Sequence, residues 1–446
     1  MAARKLYVIS FLAGFLGLVA SQAVKELSDD FLTKRGNDPY LVMFYAPWCG
    51  HCRKMAPVFH RVGMAFKNTP ITVAKIDSTK YQNAATQFDV KGFPTIKFIK
   101  GEKHYTHSGE RTQEDMIAFT KRADGPAVRE LTSLGKFNEV RSLHSDSVFF
   151  LFAGDITDPY GDIYTKFKSL AEQYIVHSYF YAGSEKILPE EFRPSHVPAV
   201  VVFKDATHYS FQSEWGEGSR KDLEQWINKE RFTAFPRIGG AHINDLGRTK
   251  KLLVILAITE KQNDDKQVNS RCKEMLDILA KQKREKYHDD YQFAWMDDTE
   301  TVNSITMSTM ATPNLLVLNT DTQYYYLSEM PIENMTLPEL EKFLEDIKSE
   351  KIPAYGGTGV LQRLKRVFYD IITTVAGIWS ESRLLFFIMF CIPTAIISVV
   401  CYGLCCMEPY DGPEDEDEEV EQPIEGGDTG NQNAITDKPS DHIKKE

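Results

Sequence analysis

Two cysteines lie three positions apart in the stretch Trp48-Cys49-Gly50-His51-Cys52. The continuous apolar run at residues 40–46 precedes them and predicts a central β-strand that is covered on both faces. Residues 53–66 carry apolar side chains at spacings of three and four, which predicts a helix directly after the pair. We therefore expect both cysteines at a strand-to-helix junction, with Cys52 one helical turn beyond Cys49.

Thiol–disulfide exchange is the chemistry that this position favours. A thiol must become a thiolate to attack a disulfide, and the positive end of a helix dipole stabilises negative charge. Cys49 is nearest the helix start, so we expect it to have the lowered pKa and to act as the nucleophile. Cys52 is placed to attack the mixed disulfide and release the product. Between them, His51 can hydrogen-bond to the thiolate or pair with it when protonated.

A C-x-x-C pair also occurs in zinc sites and in structural disulfides. Structural zinc takes about four ligands, usually in two pairs, and no second C-x-x-C or spaced histidine pair lies nearby. Seven cysteines in 446 residues are too few for a disulfide scaffold. Both alternatives stay open, but we favour a redox-active Cys49–Cys52 disulfide and expect no metal and no cofactor.

A second candidate feature is the turn Gly92-Phe93-Pro94-Thr95, which leads into a strand. If the peptide bond before Pro94 is cis, the backbone of Thr95 can pair with an extended substrate beside the sulfurs. An ordinary turn proline is the alternative.

The elements that must position these residues recur twice more, without the cysteine pair. Val197-Pro198 and Thr312-Pro313 each precede an apolar strand, as Phe93-Pro94 does. Copies about 105–115 residues apart are domain-sized, so they indicate duplicated domains and not a solenoid. The expected fold class is α/β, with three tandem domains.

The two ends of the chain indicate a membrane protein. The positively charged Arg4 and Lys5, followed by the apolar run at 6–20, predict a cleaved signal peptide. An anchoring helix is the alternative. Residues 384–407 carry no charge and are long enough to cross a bilayer core of about 30 Å. The segment at 360–380 mixes basic and apolar residues, so it is either an interfacial amphipathic helix or a solvated stalk. We expect a single-pass protein with its body in the lumen and its C-terminus in the cytosol.

The net charge of −11 is confined to the tail, because residues 408–446 carry 14 acidic and 3 basic residues. The remainder is balanced, so no basic patch suggests nucleic acid. The tail is rich in Pro and Gly and is predicted to be disordered. Asn334-Met335-Thr336 is a glycosylation sequon on the predicted lumenal side.

Two motifs taken together resemble the catalytic domain of protein disulfide-isomerases. They are Phe44-Tyr45-Ala46-Pro47-Trp48-Cys49-Gly50-His51-Cys52 and Gly92-Phe93-Pro94-Thr95. The resemblance implies a thioredoxin fold in all three domains, a place in the endoplasmic reticulum membrane and activity on unfolded or disulfide-bonded client proteins. It implies glutathione or other oxidoreductases as redox partners. A membrane-tethered holdase or client adaptor with weak redox activity is the alternative function.

The resemblance also implies roles for individual residues. Cys49 would be the nucleophile, Cys52 the resolving cysteine and Arg122 the mobile arginine that modulates Cys52. From the sequence alone Arg122 is only a cation at a helix end. Gly50 and His51 complete the catalytic motif, and Trp48, Pro94 (the cis-proline) and Thr95 would contact the substrate.

One residue departs from the family pattern. Met43 occupies a strand position where family members carry a buried acid, and a thioether cannot relay a proton to or from Cys52. Lys75, which faces that acid in the family, is expected to lose its partner and to reach for solvent or lower its pKa. We expect slower resolution of mixed disulfides without loss of activity.

These observations divide the chain into seven predicted segments. They are a signal peptide (1–24), a catalytic thioredoxin domain (25–126), two non-catalytic thioredoxin-like domains (127–230 and 231–352), a juxtamembrane linker (353–383), a transmembrane helix (384–407) and an acidic cytosolic tail (408–446).

Overall fold

The structure is a computed structural model that describes residues 23–157, 162–211, 219–259 and 266–406. Almost all of the predicted signal peptide and the whole predicted acidic tail lie outside these described residues. The chain separates into one unit at Met1–Tyr369 and a second at Asp370–Glu446.

A mixed sheet of five strands forms the first part of the first unit. Its order is β1-β3-β2-β4-β5; β1, β3 and β2 run parallel, while β4 and β5 are each antiparallel to the preceding neighbour. The strands are β1 (Lys25–Leu27), β2 (Pro39–Tyr45), β3 (Thr72–Asp77), β4 (Thr95–Lys100) and β5 (Lys103–Thr106). The helices are α1 (Phe31–Lys34), α2 (Gly50–Ala65), α3 (Gln82–Gln87) and α4 (Gln113–Asp124).

Strand β2 is central because its side chains are apolar on both faces. Leu41 and Met43 pack with α2 and α4, whereas Val42 and Phe44 pack with α1 and α3. A fully buried side chain such as Phe44 contributes about 1.5–3 kcal/mol through removal of its surface from water. The predicted strand between two helical layers is confirmed. The cysteine pair follows the carboxyl end of this strand.

The second part repeats this topology. Its strand order, β6-β8-β7-β9-β10, has the same parallel and antiparallel neighbours as the first sheet. The strands are β6 (Arg129–Glu130), β7 (Phe149–Ala153), β8 (Tyr179–Gly183), β9 (Ala199–Lys204) and β10 (Thr207–Ser210). The helices are α5 (Leu134–Leu143), α6 (Asp162–Tyr174) and α7 (Ser219–Glu230), with 3-10 turns at Glu185–Ile187 and Glu190–Phe192.

The third sheet has the same centre but different edges. A parallel bridge from Arg237 to Trp295 replaces a full first strand, and an additional strand extends the opposite edge. The strand order is β12-β11-β13-β14-β15, with β11 (Leu252–Ala257), β12 (Tyr291–Met296), β13 (Asn314–Leu318), β14 (Tyr324–Leu327) and β15 (Tyr355–Gly356). The helical elements are α8 (Gly240–Gly247), α9 (Lys266–Asp277), a π-helix (Ile278–Gln282), α10 (Arg284–Tyr287), α11 (Thr299–Thr306), a 3-10 turn (Ile332–Asn334) and α12 (Leu337–Lys348).

The predicted repeat is confirmed by three corresponding proline positions. The peptide bonds Phe93-Pro94, Val197-Pro198 and Thr312-Pro313 are all cis, and each proline directly precedes the strand that runs antiparallel to the central strand of its sheet. The α/β fold with three tandem domains is therefore correct, while the precise limits of the seven segments stay predictions.

A long apolar helical stretch follows the three sheets. Within the described part of the chain, Phe387–Leu404 is the one segment long and apolar enough to cross a membrane, and its mean hydropathy is 2.2. None of it is buried, as expected for a helix surrounded by lipid. The elements here are α13 (Val360–Glu381), α14 (Arg383–Phe386), a π-helix (Phe387–Cys391) and α15 (Ile392–Cys406).

Candidate active site

Cys49 is the N-cap residue of α2. Its backbone is extended, at φ −73° and ψ 116°, and its Sγ accepts a hydrogen bond from the backbone N–H of Cys52 at 3.3 Å. The first N–H groups of a helix have no partner within the helix, and an N-cap side chain usually supplies an oxygen for them. Here a sulfur takes that position, where the helix dipole favours negative charge.

The surroundings of Cys49 lower the pKa of its thiol. The largest cause is the hydrogen bond from the Cys52 side chain, and backbone N–H groups of Cys52 and His51 and the charge of Arg53 act in the same direction. The Arg53 guanidinium is held nearby because it donates to the carbonyl of Trp48 at 3.1 Å. Cys49 is therefore the thiol that loses its proton first, as the sequence analysis predicts.

Cys52 has the opposite character. Its side chain is only 4% exposed, and burial, with the hydrogen bond that it gives to Cys49, raises the pKa of its thiol. The charge of Arg111 opposes this rise. Cys49 is ready as a thiolate while Cys52 keeps its proton, so the two thiols are suited to successive steps.

The other two motif residues occupy the first two positions of α2. Gly50 and His51 are both exposed. His51 acts on Cys49 through its backbone N–H. The predicted pairing between its imidazole and the Cys49 thiolate stays a prediction.

The backbone of Phe93, the residue before the cis Pro94, lies against the nucleophile. The Cys49 thiol donates to the carbonyl oxygen of Phe93 at 3.7 Å. The Trp48 side chain is 71% exposed and meets the Phe93 ring edge-on, with 6.3 Å between centroids. Cys49 itself is only 7% exposed, so the exposed Trp48 ring and the neighbouring Phe93 form the surface beside the sulfur.

Thr95 begins β4 and pairs with Phe44 on β2. Its hydroxyl donates to the Gly92 carbonyl at 2.7 Å, which closes the turn that contains Pro94. The sequence analysis did not single out Phe93, although its place immediately before Pro94 was a usable signal.

Arg122 points toward the second sheet in this structure. Its Nε donates to the carbonyl of Val176 at 3.0 Å, and its guanidinium lies 5.9 Å from the Tyr179 ring centroid. The cation that acts on Cys52 here is Arg111, in the loop before α4, which the sequence analysis missed. A role for Arg122 at Cys52 stays a prediction.

The expectation that Lys75 loses its partner is wrong. Its Nζ lies 2.9 Å from the carboxylate of Glu26 on β1, and the same carboxylate accepts a hydrogen bond from the Tyr45 hydroxyl at 2.7 Å. Strand β1 pairs with β3 so that Glu26 lies directly beside Lys75. Glu26 was not predictable as this partner, because it lies on a three-residue strand far from the motif.

The other predicted features lie outside this cluster. Asn334 is exposed at the end of a 3-10 turn in the third part of the chain. Cys272 is fully buried in the third core and behaves as an apolar side chain. Within the described ranges, no group of His, Cys, Asp and Glu side chains is arranged to hold a metal ion.

The arrangement as a whole is suited to exchange between two thiols and an external disulfide. Cys49 and Cys52 are free thiols in the structure, which corresponds to the reduced form. A nucleophile with a lowered pKa stands beside a buried second thiol and an exposed aromatic surface. Attack on a disulfide needs a thiolate, and release of the mixed disulfide needs a second thiol that attacks in turn.

The chain is similar to known proteins over most of its length. The family model described as thioredoxin matches residues 21–122, and the one described as thioredoxin-like domain matches residues 156–346. The chain is 39% identical to protein disulfide-isomerase TMX3 of Xenopus laevis, over 93% of this chain and 90% of that protein. It is 36% identical to the Homo sapiens protein of the same name, over 87% and 83%. The solution structure of the first thioredoxin domain of mouse protein disulfide-isomerase A4 is 39% identical, covers 24% of this chain and 78% of that domain, and gives a TM-score of 0.22.

Proposed function

Because this chain belongs to the protein disulfide-isomerase family, we propose that it exchanges disulfides of folding proteins in the lumen of the endoplasmic reticulum through Cys49 and Cys52. Members of the family are thiol–disulfide oxidoreductases whose substrates are client proteins. The single observation that carries the proposal is that Cys49 caps α2 beside the buried thiol of Cys52.

The reduction of a client follows from that geometry. The Cys49 thiolate attacks one sulfur of the client disulfide, whose S–S bond breaks, and the other client sulfur leaves as a thiolate. Cys52 then loses its proton and attacks the Cys49 sulfur, which forms the Cys49–Cys52 disulfide and releases the second client thiolate. Oxidation of a client runs through the same steps in reverse. In isomerisation, Cys49 attacks as before, and a client thiolate, instead of Cys52, then attacks the client sulfur of the mixed disulfide and releases Cys49.

The helix N-terminus influences whether oxidation or reduction of the client is favoured. It stabilises the Cys49 thiolate and so the reduced form, which makes the disulfide a stronger oxidant. Thioredoxin has a reduction potential of about −270 mV and protein disulfide isomerase one of about −180 mV. We place this pair toward the second value, with glutathione or another oxidoreductase restoring its oxidised state.

The membrane anchor gives this activity its location. We propose that the helix that contains Phe387–Leu404, which is long and apolar enough to cross a membrane, anchors the chain in the endoplasmic reticulum membrane in a single pass. We propose a type I orientation, with the three thioredoxin-like domains in the lumen and the C-terminus in the cytosol. The lumen is oxidising enough for client disulfides to form there.

Equilibration of the purified protein in glutathione buffers, with alkylation to count free thiols, tests the proposal. A potential near the isomerase value and loss of insulin reduction in Cys49→Ala are expected. Cys52→Ala should accumulate mixed disulfides with clients in cells, whereas Cys272→Ala, in a remote core, should behave as the unmodified protein. Full activity in Cys49→Ala would refute the assignment.

The alternative, a membrane-tethered holdase, requires an apolar surface for clients on the third domain. In the described part of that domain and of the edge strand β15 that follows it, the large apolar side chains that are more than about two-fifths exposed are Tyr324, Met330 and Tyr355. Two of them are tyrosines, which keep a polar group toward water. The support for client binding by this domain is therefore weaker than the support that the geometry of Cys49 gives to disulfide exchange.

A further inference from the structure

Helix α13 carries a continuous stripe of exposed apolar side chains. At 3.6 residues per turn, ten large apolar side chains project within one arc of about 140°. Eight of the ten are more than about two-fifths exposed. Among the described residues before α13, only eight large apolar side chains are exposed to this extent, and they are scattered from Trp48 to Tyr355. The ten residues of the arc are Val360, Leu361, Leu364, Val367, Phe368, Ile371, Ile372, Val375, Ile378 and Trp379.

The rest of the α13 surface is polar. Arg363, Lys365, Arg366 and Asp370 all project outside the arc. Lys365 lies next to one edge of the arc, and Arg363 lies close to the other edge. A long basic side chain at such an edge can pack its stem along an apolar surface while its charge stays in water. The helix therefore has one apolar face that is bordered by positive charge on both sides.

The width of this face favours a lipid surface over a second helix. A two-stranded coiled coil buries a narrow seam with apolar residues at alternating spacings of three and four. In α13 the apolar residues come instead as adjacent pairs, such as Val367-Phe368 and Ile371-Ile372, which form two columns side by side. A broad apolar face with Trp, Phe and Leu, opposite a polar face with Lys and Arg, is typical of helices that lie in a membrane interface.

Trp379 connects the apolar face of α13 to the candidate membrane span. Its ring meets the Phe386 ring edge-on, with 5.0 Å between centroids, and the Phe387 ring at 6.0 Å. The Arg383 guanidinium lies 5.8 Å from the centroid of the same ring. Phe387 is the first residue of the candidate span. Trp and basic side chains are typical of the boundary between membrane and water, so the apolar face leads directly to that boundary.

We propose that α13 lies in the membrane interface, with its apolar arc toward the acyl chains and its polar face toward water. The partner is a phospholipid surface, on the side of the bilayer that holds the three thioredoxin-like domains. Lys365 and Arg363, at the edges of the arc, reach the lipid phosphates. The chain turns into the bilayer at Ser382, which separates α13 from α14. Of the two structures expected for this segment, the interfacial helix is therefore favoured over the solvated stalk.

This placement keeps the third sheet close to the membrane. Strand β15 pairs with β14 at the edge of that sheet, and only residues 357–359 connect β15 to α13. The chain from Gly356 to Val360 spans at most about 14 Å when extended. An upright stalk of 22 residues would instead add about 33 Å between the sheet and the bilayer.

Site-specific photocross-linking in the full-length protein tests the placement of α13. The photoreactive amino acid p-benzoylphenylalanine replaces either Ile371, on the arc, or Thr373, on the polar face, and each variant is reconstituted in phosphatidylcholine vesicles. The two positions are matched, because both side chains are β-branched and exposed and they project from nearly opposite sides of the helix. Lipid adducts at position 371 should exceed those at position 373 by at least about 5-fold, since an interfacial helix buries its apolar face about 5–10 Å deep.

The inference rests on the proposed membrane anchor and not on disulfide exchange, so a third position tests the anchor itself. Ile397 is exposed within the candidate span, and the photoreactive residue there should form lipid adducts. Lipid adducts at 397 together with equal yields at 371 and 373 would overturn the inference and leave the anchor in place. Adducts from 371 to protein, within the chain or to a second copy, would overturn it too. No lipid adducts at 397 would overturn both the anchor and the inference.

Discussion

The backbone N–H of Cys52 donates a hydrogen bond to Cys49 Sγ at 3.3 Å, and the Cys52 thiol donates to the same sulfur. The second cysteine therefore stabilises the thiolate of the first before any substrate arrives. The hydrogen bond between the two thiols lowers the pKa of Cys49 and raises the pKa of Cys52. Cys49 therefore reacts first and Cys52 second.

Replacing Cys52 with Ala should raise the pKa of Cys49. The largest cause of the lowered pKa is the hydrogen bond from the Cys52 side chain, and this variant removes it. A lowered pKa keeps the thiolate present at lower pH, so the rise should move the midpoint of Cys49 alkylation to higher pH. Iodoacetamide rates against pH measure this midpoint. Cys272→Ala should leave it in place, and a midpoint that moves to lower pH in Cys52→Ala would contradict the prediction.

Replacing Arg53 with Met should make the Cys49–Cys52 disulfide a weaker oxidant. The guanidinium stabilises the Cys49 thiolate and is held beside it by the Trp48 carbonyl. Without that cation the reduced form loses stability, so the reduction potential should become more negative. Lys54→Met removes the same charge from the neighbouring residue and is the matched control. Equal potentials for the two variants in glutathione buffers would refute a specific role for Arg53.

Local features of the site were predictable from the sequence, and long-range ones were not. Cys49, Cys52 and the strand before them all lie within residues 39–52, so hydrophobic pattern and spacing predict their positions. Glu26 lies on a three-residue strand with two polar residues and no strand pattern. Its partner Lys75 is 49 positions away in the sequence, and only the register of β1 on β3 brings the two together.

Contacts between domains were also out of reach. The direction of Arg122 depends on where the second sheet packs, because its acceptor is the main chain of Val176. No pattern within α4 encodes that neighbour. The cis bond at Pro94 was predictable only from the motif around it. The structure has cis bonds at Pro198 and Pro313 too, at the equivalent positions of the repeat.

A buried network of charges joins the second and third sheets. Lys204 on β9 and Glu230 at the end of α7 are almost fully buried and lie 2.8 Å apart. Glu230 also contacts Arg284 and His288, each at 2.6 Å. Because Lys204 would be left without its charged partner, Glu230→Gln should cost about 3–5 kcal/mol of unfolding free energy.

Chemical denaturation of the full-length protein in detergent measures this loss. Glu139→Gln, which alters an exposed pair with Lys136, should cost only about 0–1 kcal/mol. Comparable losses in Glu139→Gln and Glu230→Gln would show that burial of the network is unimportant.

The same network should weaken in acid. Burial alone would raise the pKa of Glu230, but the hydrogen bond from His288 and the charge of Lys204 outweigh it and hold that pKa well below the ordinary 4.5. A carboxylate with a lowered pKa in the folded state stabilises the fold above its ordinary pKa, and this contribution is lost as the pH falls below it. The difference in stability between the unmodified protein and Glu230→Gln should therefore shrink below about pH 4.5. A difference that grows in acid would contradict this assignment.

Asn334 should carry a glycan if the third domain lies in the lumen. The Asn334 side chain is exposed, and Thr336 is the N-cap residue of α12, with its hydroxyl and backbone N–H both donating to the Glu339 carboxylate. Expression in mammalian cells followed by endoglycosidase treatment should shift the unmodified protein to higher mobility, and Asn334→Gln should show no shift. Thr336→Ser keeps both the sequon and a capping hydroxyl, so it should retain the glycan, whereas Thr336→Ala should lose the glycan and also about 0.5–2 kcal/mol from the helix cap. A glycan that persists in Asn334→Gln would place modification elsewhere, and its absence from both the unmodified protein and Thr336→Ser would count against a lumenal third domain.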